Sequence, residues 1–265
     1  MPWVSALRFG LIPRGEGGDK SEREFLAAAA AALGRPVEVH RAADYRMVLS
    51  GIQQGFVDVA WLPPLVAGRA LRGHLVDTVA VVVREGDTGY RTALITRADS
   101  AVRGLGDLRD LRVAWVDRES ASGYAVLRAA LASAGIALTH AFAHEVFLRS
   151  HAAVAQAVLE GTVDVGATCA HATPEGVRFA RSALTGDAGL STAELRAVFD
   201  AGPIPSDVFA VRAGLPPVIR QVVERALLQG IPGRMNAAAR ALTHADAFAL
   251  PTPEHRRMLE LLASA

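Results

Sequence analysis

The sequence predicts an α/β fold of two similar Rossmann-like lobes joined by a two-strand hinge. Residues 7–60 and 111–166 repeat one order of apolar strands and helix-like stretches, strand–helix–strand–helix–strand. Phe9 precedes Val113 by 104 positions, and Asp58 precedes Asp164 by 106. A repeat at one offset indicates two copies of one supersecondary unit. Two such lobes leave a cleft between them, where small ligands bind.

The individual elements follow from local patterns. Each copy closes on a run of small and β-branched residues, at 55–60 and 161–166. Such continuous apolar runs are typical of parallel strands covered on both faces. Gly34 and Gly135 mark helix ends. Further strands are predicted near 7–12, 36–39, 111–116 and 141–146, and helices near 47–52, 104–110, 124–134, 152–159, 217–229 and 237–243.

The chain is expected to cross between the lobes twice. Residues 79–83 and 92–96 form a predicted strand pair, after which the chain enters the second lobe. Residues 207–211 predict the strand that returns to the first lobe. A hinge of two strands suits closure by rotation. The predicted lobes are 1–97 with 207–265, and 98–206.

Composition excludes several classes of protein. The 265 residues carry 28 basic and 27 acidic side chains, interspersed, for a net charge of +1, so no basic surface for nucleic acid is expected. No charge-free window of 18 residues predicts a transmembrane segment. A single cysteine, Cys169, excludes an internal disulfide and CxxC motifs.

The first residues do not resemble an export signal, because no basic segment is followed by a long apolar one. Two locations stay open. The protein is cytoplasmic if Met1 is the native start, and periplasmic or otherwise extracytoplasmic if a signal has been removed.

A serine-rich segment, Ser120, Ala121, Ser122 and Gly123, follows a predicted strand and opens a predicted helix. A helix N-terminus offers free N–H groups and a partial positive charge, so it suits an oxyanion. Two hydroxyls and a glycine there fit a tetrahedral anion such as phosphate or phosphonate. An ordinary N-cap explains the same residues. No GxxxxGK[ST] loop is present.

Three other side chains are candidate donors to an anion. Tyr45 and Tyr90 lie in polar, loop-like parts of the first lobe, and His151 precedes a predicted helix. The alternatives are half-buried packing tyrosines and a solvent-facing histidine near a cap. Asp207, at the return crossing, is placed to accept from a protonated ligand oxygen or an ammonium group, or to cap a turn.

Two other interpretations, a metal site and a nucleophilic active site, have less support in the sequence. His140 and His144 have helical spacing in a stretch that is predicted as a strand, which disfavours a metal site with His151. Cys169 and His171 have no third partner or oxyanion site for nucleophilic chemistry. We therefore expect no metal, no cofactor and no enzymatic activity.

Together these segments resemble the PhnD-like substrate-binding proteins of phosphonate, phosphite and phosphate ABC transporters. The resemblance spans about 9–225. It rests on Asp44-Tyr45, Val57-Asp58-Val59-Ala60-Trp61, Gly89-Tyr90, Ser120-Ala121-Ser122-Gly123, Ser150-His151, Val163-Asp164-Val165 and Ile204-Pro205-Ser206-Asp207.

The resemblance implies a type 2 periplasmic-binding-protein fold without catalysis. It places a phosphonate-type group on the serine-rich helix start, His151, Tyr45 and Tyr90, with Asp207 near the ligand. Ala121 departs from the family's Ser-Thr-Ser-Gly pattern and lacks its middle hydroxyl. His171 stands where relatives that bind aminoalkylphosphonates are expected to carry an acid, so a small or wholly anionic ligand is favoured.

The expected function is that of a monomeric solute-binding protein. It captures a small phosphorus oxyanion in the interlobe cleft and delivers it to an ABC permease. The alternatives are a cytoplasmic ligand-sensing module, or an enzyme built on the same two-lobed fold.

Overall fold

The computed structural model describes residues 6–11, 19–42, 44–174, 176–179, 192–230 and 234–264. Its compact units divide at Gly89/Tyr90 and at Ile204/Pro205. Unit 1 holds the described residues up to Gly89 and from Pro205 onward, and unit 2 is Tyr90–Ile204.

The strands in chain order are β1 (Leu7–Leu11), β2 (Val37–Arg41), β3 (Val59–Leu62), β4 (Val76–Val83), β5 (Gly89–Arg97), β6 (Leu111–Trp115), β7 (Phe142–Phe147), β8 (Val165–Thr173), β9 (Gly176–Phe179), β10 (Leu195–Pro205), β11 (Val208–Arg212) and β12 (Ala247–Ala249). The helices are α1 (Asp19–Leu33), α2 (Tyr45–Gln53), α3 (Pro64–Arg72), α4 (Val126–Ser133), α5 (His151–Leu159), α6 (Pro217–Leu228), α7 (Met235–Thr243) and α8 (Pro253–Leu262).

Unit 1 is built on a mixed sheet of order β12-β4-β11-β3-β1-β2. β1 runs parallel to β2 and β3, while β11 pairs antiparallel with β3 and β4. Phe25 of α1 packs its ring edge-on to Phe9 with centroids 5.3 Å apart, and lies 6.0 Å from Phe209. These buried rings hold α1 against the sheet.

Unit 2 is built on a sheet of order β10-β5-β8-β6-β7, with β9 added to β8. Side chains alternate between its two faces, as strand geometry requires. Ala93 and Ile95 pack with Val154 of α5 on one face, whereas Leu94 packs with Leu127 of α4 on the other. The two helices therefore cover opposite faces.

The repeat predicted from the sequence is present in both sheets. Phe9 pairs with Val59 in unit 1, and Val113 pairs with Val165 in unit 2. The predicted α/β fold of two similar lobes is therefore confirmed.

An arginine–aspartate pair marks the same place in each copy. Arg8 donates from Nε to Asp58 Oδ2 at 3.0 Å, and Arg112 donates from Nη2 to Asp164 Oδ1 at 2.7 Å. Asp58 also accepts from Arg212 Nη2 at 2.9 Å. Burial opposes ionisation of Asp58, but the hydrogen bonds from both arginines outweigh it and hold its pKa below the ordinary value. The hydrogen bond from Arg112 lowers the pKa of Asp164, although burial opposes it.

The strand pair predicted for 79–83 and 92–96 is wrong. β4 pairs with β11 and β12 in unit 1, and β5 pairs with β8 in unit 2. The reason is that both strands are apolar on both faces, so each is buried centrally in its own sheet and not in a shared hairpin. β5 consequently lies in unit 2, although the expected boundary after residue 97 assigned it to the first lobe.

Two local predictions also change. The helix expected over 104–110 is a single short turn, Leu105–Asp107, with Leu108 as its C-cap, and Asp110 further on has a positive φ of 61°. The helix expected from residue 124 begins earlier, with a π-helical turn at Ala121–Ala125. Among the described residues, no helix is both long and apolar enough to cross a membrane.

Candidate functional site

The serine-rich segment forms a wide turn at the start of α4. Ser120 is the N-cap, with φ −80° and ψ 123°, and its Oγ accepts a hydrogen bond from the Gly123 N–H at 3.1 Å. Ala121–Ala125 is wound as a π-helical turn that continues directly into α4. Such turns are rare in proteins overall, and those that occur are often at functional sites. The N-terminal position gives this turn the positive end of the helix dipole.

Gly123 is required by close packing under this turn. A Cβ at this position would lie 2.4 Å from Val116 Cγ2, which no side chain can accommodate. The Val116 N–H also donates to the Gly123 carbonyl at 3.1 Å. The backbone of the turn is thereby fixed against the end of β6.

Ser122 is set apart from Ser120 by its hydrogen bonds. Its carbonyl accepts from Thr92 Oγ1 on β5 at 2.6 Å. Ser122 as a whole residue is only 2% exposed, and within the described parts of the chain no protein group hydrogen-bonds to its hydroxyl. Ser120 is therefore the cap, and the Ser122 hydroxyl is available to a ligand.

His151 occupies the first position of α5. Ser150 caps that helix, because its Oγ accepts from the Ala153 N–H at 3.1 Å. His151 Nδ1 lies 3.2 Å from Oγ1 of Thr168, a fully buried residue of β8. The imidazole is thus held at a helix N-terminus from the side of the sheet.

The turn and His151 belong to one edge of the unit 2 sheet. β6 and β7 are parallel, and each is followed by its helix, α4 or α5. In open α/β sheets, ligands bind outside the carboxyl ends of such strands. Two helix N-termini at one edge, with a hydroxyl and an imidazole, make a set of donors that suits an oxyanion.

The two tyrosines lie in different units. Tyr45 is the first residue of α2 in unit 1, where Asp44 caps the helix by accepting from the Met47 N–H at 2.8 Å. The half-buried ring of Tyr45 packs on the core beneath α2. Tyr90 is the second residue of β5 and lies in unit 2, although it was expected in the first lobe.

Asp207 lies between β10 and β11, with both carboxylate oxygens engaged inside unit 1. Arg84 donates from Nη1 to Oδ1 at 2.6 Å and from Nη2 to Oδ2 at 3.1 Å. The Trp61 indole N–H also donates to Oδ2. Beside it, His255 Nε2 contacts the Ser206 carbonyl at 3.1 Å, and burial lowers the pKa of His255. This network gives Asp207 a structural role that the sequence did not reveal.

His171 is buried on β8, opposite Arg178 of β9 in the antiparallel pair. His140 lies in a turn and His144 is exposed on β7. Within the residues that the structure describes, no three His, Cys, Asp or Glu side chains are grouped to hold a metal ion.

Sequence reasoning missed Thr92 and Thr168. Each hydroxyl reaches a candidate binding group from the sheet, Thr92 at the serine turn and Thr168 at His151. The available signal was a threonine within an otherwise apolar strand, which is also common in sheets for packing reasons.

The comparison with protein families decides the identity. Residues 9–255 match the family described as "ABC transporter, phosphonate, periplasmic substrate-binding protein". The chain belongs to this family. The resemblance stated from the motifs is therefore confirmed, and the family consists of transport proteins, not enzymes.

Individual relatives agree with this assignment. The chain is 30% identical over 145 residues to the phosphate-import protein PhnD of Mycolicibacterium smegmatis, covering 50% of this chain and 44% of that protein. The chain spans less than half of the length of the curated relatives it matches.

Solved structures share the fold over nearly the whole chain. A binding protein of an ABC phosphonate transporter from Pseudomonas aeruginosa has a TM-score of 0.80 at 23% identity, covering 99% of this chain and 87% of that one. PhnD1 of Prochlorococcus marinus, in complex with methylphosphonate, has a TM-score of 0.78 at 18% identity, covering 99% and 98%. At these identities the likeness concerns the fold, which is that of type 2 periplasmic binding proteins.

Proposed function

We propose that this chain is a solute-binding protein that captures a small phosphorus oxyanion for an ABC importer. The ligand is a phosphonate, phosphite or phosphate, and no catalytic step is part of the role. The observation that carries the proposal is the π-helical turn, where the Ser122 hydroxyl has no protein partner among the described residues and is not a buried unpaired atom.

The chemistry of the unit 2 edge fits a tetrahedral anion. The turn supplies backbone N–H groups and a hydroxyl, and His151 supplies an imidazole at a second helix start. Hydrogen bonds to a charged group contribute about 1.5–3 kcal/mol each, so a few of them support tight binding. Ala121 contributes only its backbone, and Tyr45 and Tyr90 are proposed as further donors.

The ligand is proposed to be small and without an ammonium group. A buried ammonium needs a carboxylate partner. His171 provides none, and the Asp207 carboxylate is engaged by Arg84 and Trp61. The methylphosphonate of the Prochlorococcus protein and the phosphate named for the mycobacterial one are ligands of this kind.

The partner is proposed to be an ABC permease, and the place of action to be outside the cytoplasmic membrane. Family membership supports both proposals. A monomer is sufficient for this role.

The test begins with protein stripped of carried-over ligand by unfolding and refolding. Phosphate, phosphite and methylphosphonate are added separately at millimolar concentration, with sulfate as a control of equal shape. A ligand at 1,000 times its Kd stabilises the native state by about 4 kcal/mol, so a bound anion raises the Tm by several degrees. Unchanged melting with all three phosphorus anions contradicts the proposal. Native mass spectrometry before stripping identifies any ligand carried over.

A further inference from the structure

Thr168 and His151 meet on one face of the unit 2 sheet. Thr168 is fully buried on β8, directly opposite Ala93 of β5 in the antiparallel register. Its Oγ1 lies 3.2 Å from Nδ1 of His151. Because Ala93 has no polar side-chain atom and β8 backbone groups serve the sheet, the threonine hydroxyl faces mainly apolar neighbours and the imidazole.

The hydroxyl hydrogen of a buried threonine needs an acceptor. Among the described residues, the Thr168 hydroxyl has one hydrogen-bond partner, Nδ1 of His151. Were Nδ1 to carry a hydrogen, the hydroxyl would have to accept from it, and its own buried hydrogen would be left unpaired. The hydroxyl therefore donates, and Nδ1 accepts.

We propose that Thr168 is a positioning residue that holds His151 in the tautomer with its hydrogen on Nε2. Resting on the proposed function, this assigns His151 the role of an N–H donor to the bound oxyanion. In the other tautomer Nε2 would present a lone pair, which repels the oxygen atoms of an anion. The Thr168 hydroxyl on β8 thus favours the tautomer in which the imidazole attracts the ligand.

Three variants test the proposal. Thr168→Val keeps the shape of the side chain and removes the hydroxyl, whereas Thr168→Ser keeps the hydroxyl. Thr96→Val is the matched control, because Thr96 is equally buried in the same sheet but its hydroxyl donates to the Asp164 carbonyl at 2.8 Å. By calorimetry with methylphosphonate, Thr168→Val should weaken binding roughly 3- to 10-fold. The affinities of Thr168→Ser and Thr96→Val for methylphosphonate should stay within about twofold of the parent. The calorimetry must therefore resolve affinity differences of about twofold.

The tautomer itself is measured by 15N NMR of histidine-labelled protein without ligand. His151→Gln assigns the resonance, and a long-range 1H–15N correlation shows which ring nitrogen carries hydrogen. The expected result is hydrogen on Nε2 in the parent and in Thr168→Ser, and loss of this preference in Thr168→Val. A loss of packing alone would not move this signal.

Two results would overturn the proposal: hydrogen on Nδ1 in the parent protein, or a Thr168→Val variant with parental affinity and parental spectrum. A parent protein that binds no phosphorus oxyanion overturns the proposed function instead. In that case the spectra of ligand-free protein still show whether Thr168 sets the tautomer of His151.

Discussion

Loss of the hydroxyl should have different effects at Ser120 and Ser122, which are two residues apart. It should reduce stability at Ser120 and ligand affinity at Ser122. Ser120 Oγ caps the turn by accepting from Gly123 N–H, whereas no described protein group hydrogen-bonds to the Ser122 hydroxyl. At the proposed site, Ser122→Ala should therefore remove a bond to the ligand, and Ser120→Ala removes a bond within the protein. Each variant is the control for the other.

The expected sizes follow from these contacts. A lost hydrogen bond to a charged ligand costs about 1.5–3 kcal/mol, so Ser122→Ala should weaken methylphosphonate binding roughly 10- to 150-fold. Its stability should stay within about 0.5 kcal/mol of the parent, as expected where no bond is lost. Ser120→Ala should lower the free energy of unfolding by about 1 kcal/mol, the usual contribution of a serine cap.

Two assays separate the effects. Isothermal titration calorimetry on stripped protein gives the affinity, and urea denaturation without ligand gives the stability. Parental affinity in Ser122→Ala would refute the assignment of its hydroxyl to the ligand. Equal destabilisation by both variants would show that the two hydroxyls have the same structural role.

Four further predictions concern charge. In urea denaturation at pH 7, Asp58→Asn should lower the free energy of unfolding by about 3–5 kcal/mol and Asp164→Asn by about 1 kcal/mol, because Asp58 is the more buried. Equal losses in the two variants would contradict this. The pKa of Asp58 is lowered on folding, so its contribution is present above pH of about 4 and is lost below it. Burial lowers the pKa of His255, so unfolding should become easier as pH falls below about 6.5; His255→Gln should remove that step, and an unchanged pH profile would count against it. In calorimetry, 2-aminoethylphosphonate should bind no tighter than methylphosphonate, since Arg84 engages Asp207; a clear preference for the amine would overturn this selectivity.

The two-lobed fold could be predicted because its signal is long-range and repeated. Strands that lie 104 positions apart, such as those around Phe9 and Val113, carry the same apolar runs. The positions of Asp58 and Asp164 proved to be equivalent, since each accepts hydrogen bonds from an arginine on the first strand of its copy. A pattern that occurs twice is specific even where each strand alone is ambiguous.

Strand partners could not be predicted in the same way. β4 and β5 are adjacent in sequence and both apolar, which favours a hairpin by local rules. Their actual partners, β11 and β8, lie far along the chain and are equally apolar. Hydrophobic pattern gives burial, but it does not distinguish between partners of the same character.

The residue types of the candidate site could be predicted from the sequence, but the hydrogen bonds between its residues could not. Ser120, Ser122 and His151 could be named as candidates because helix starts have sequence signals. The hydrogen bonds of Thr92 and Thr168 depend on which strands lie beneath those helix starts, and the engagement of Asp207 depends on Arg84 from a distant loop. Such contacts follow from tertiary structure alone.

A crystal structure of the refolded protein with methylphosphonate would show directly whether Ser122 and His151 hold the ligand. We expect phosphonate oxygens at about 2.6–3.2 Å from Ser122 Oγ and from Nε2 of His151. Ligand bound away from the serine turn, or no bound ligand at saturating concentration, would contradict it.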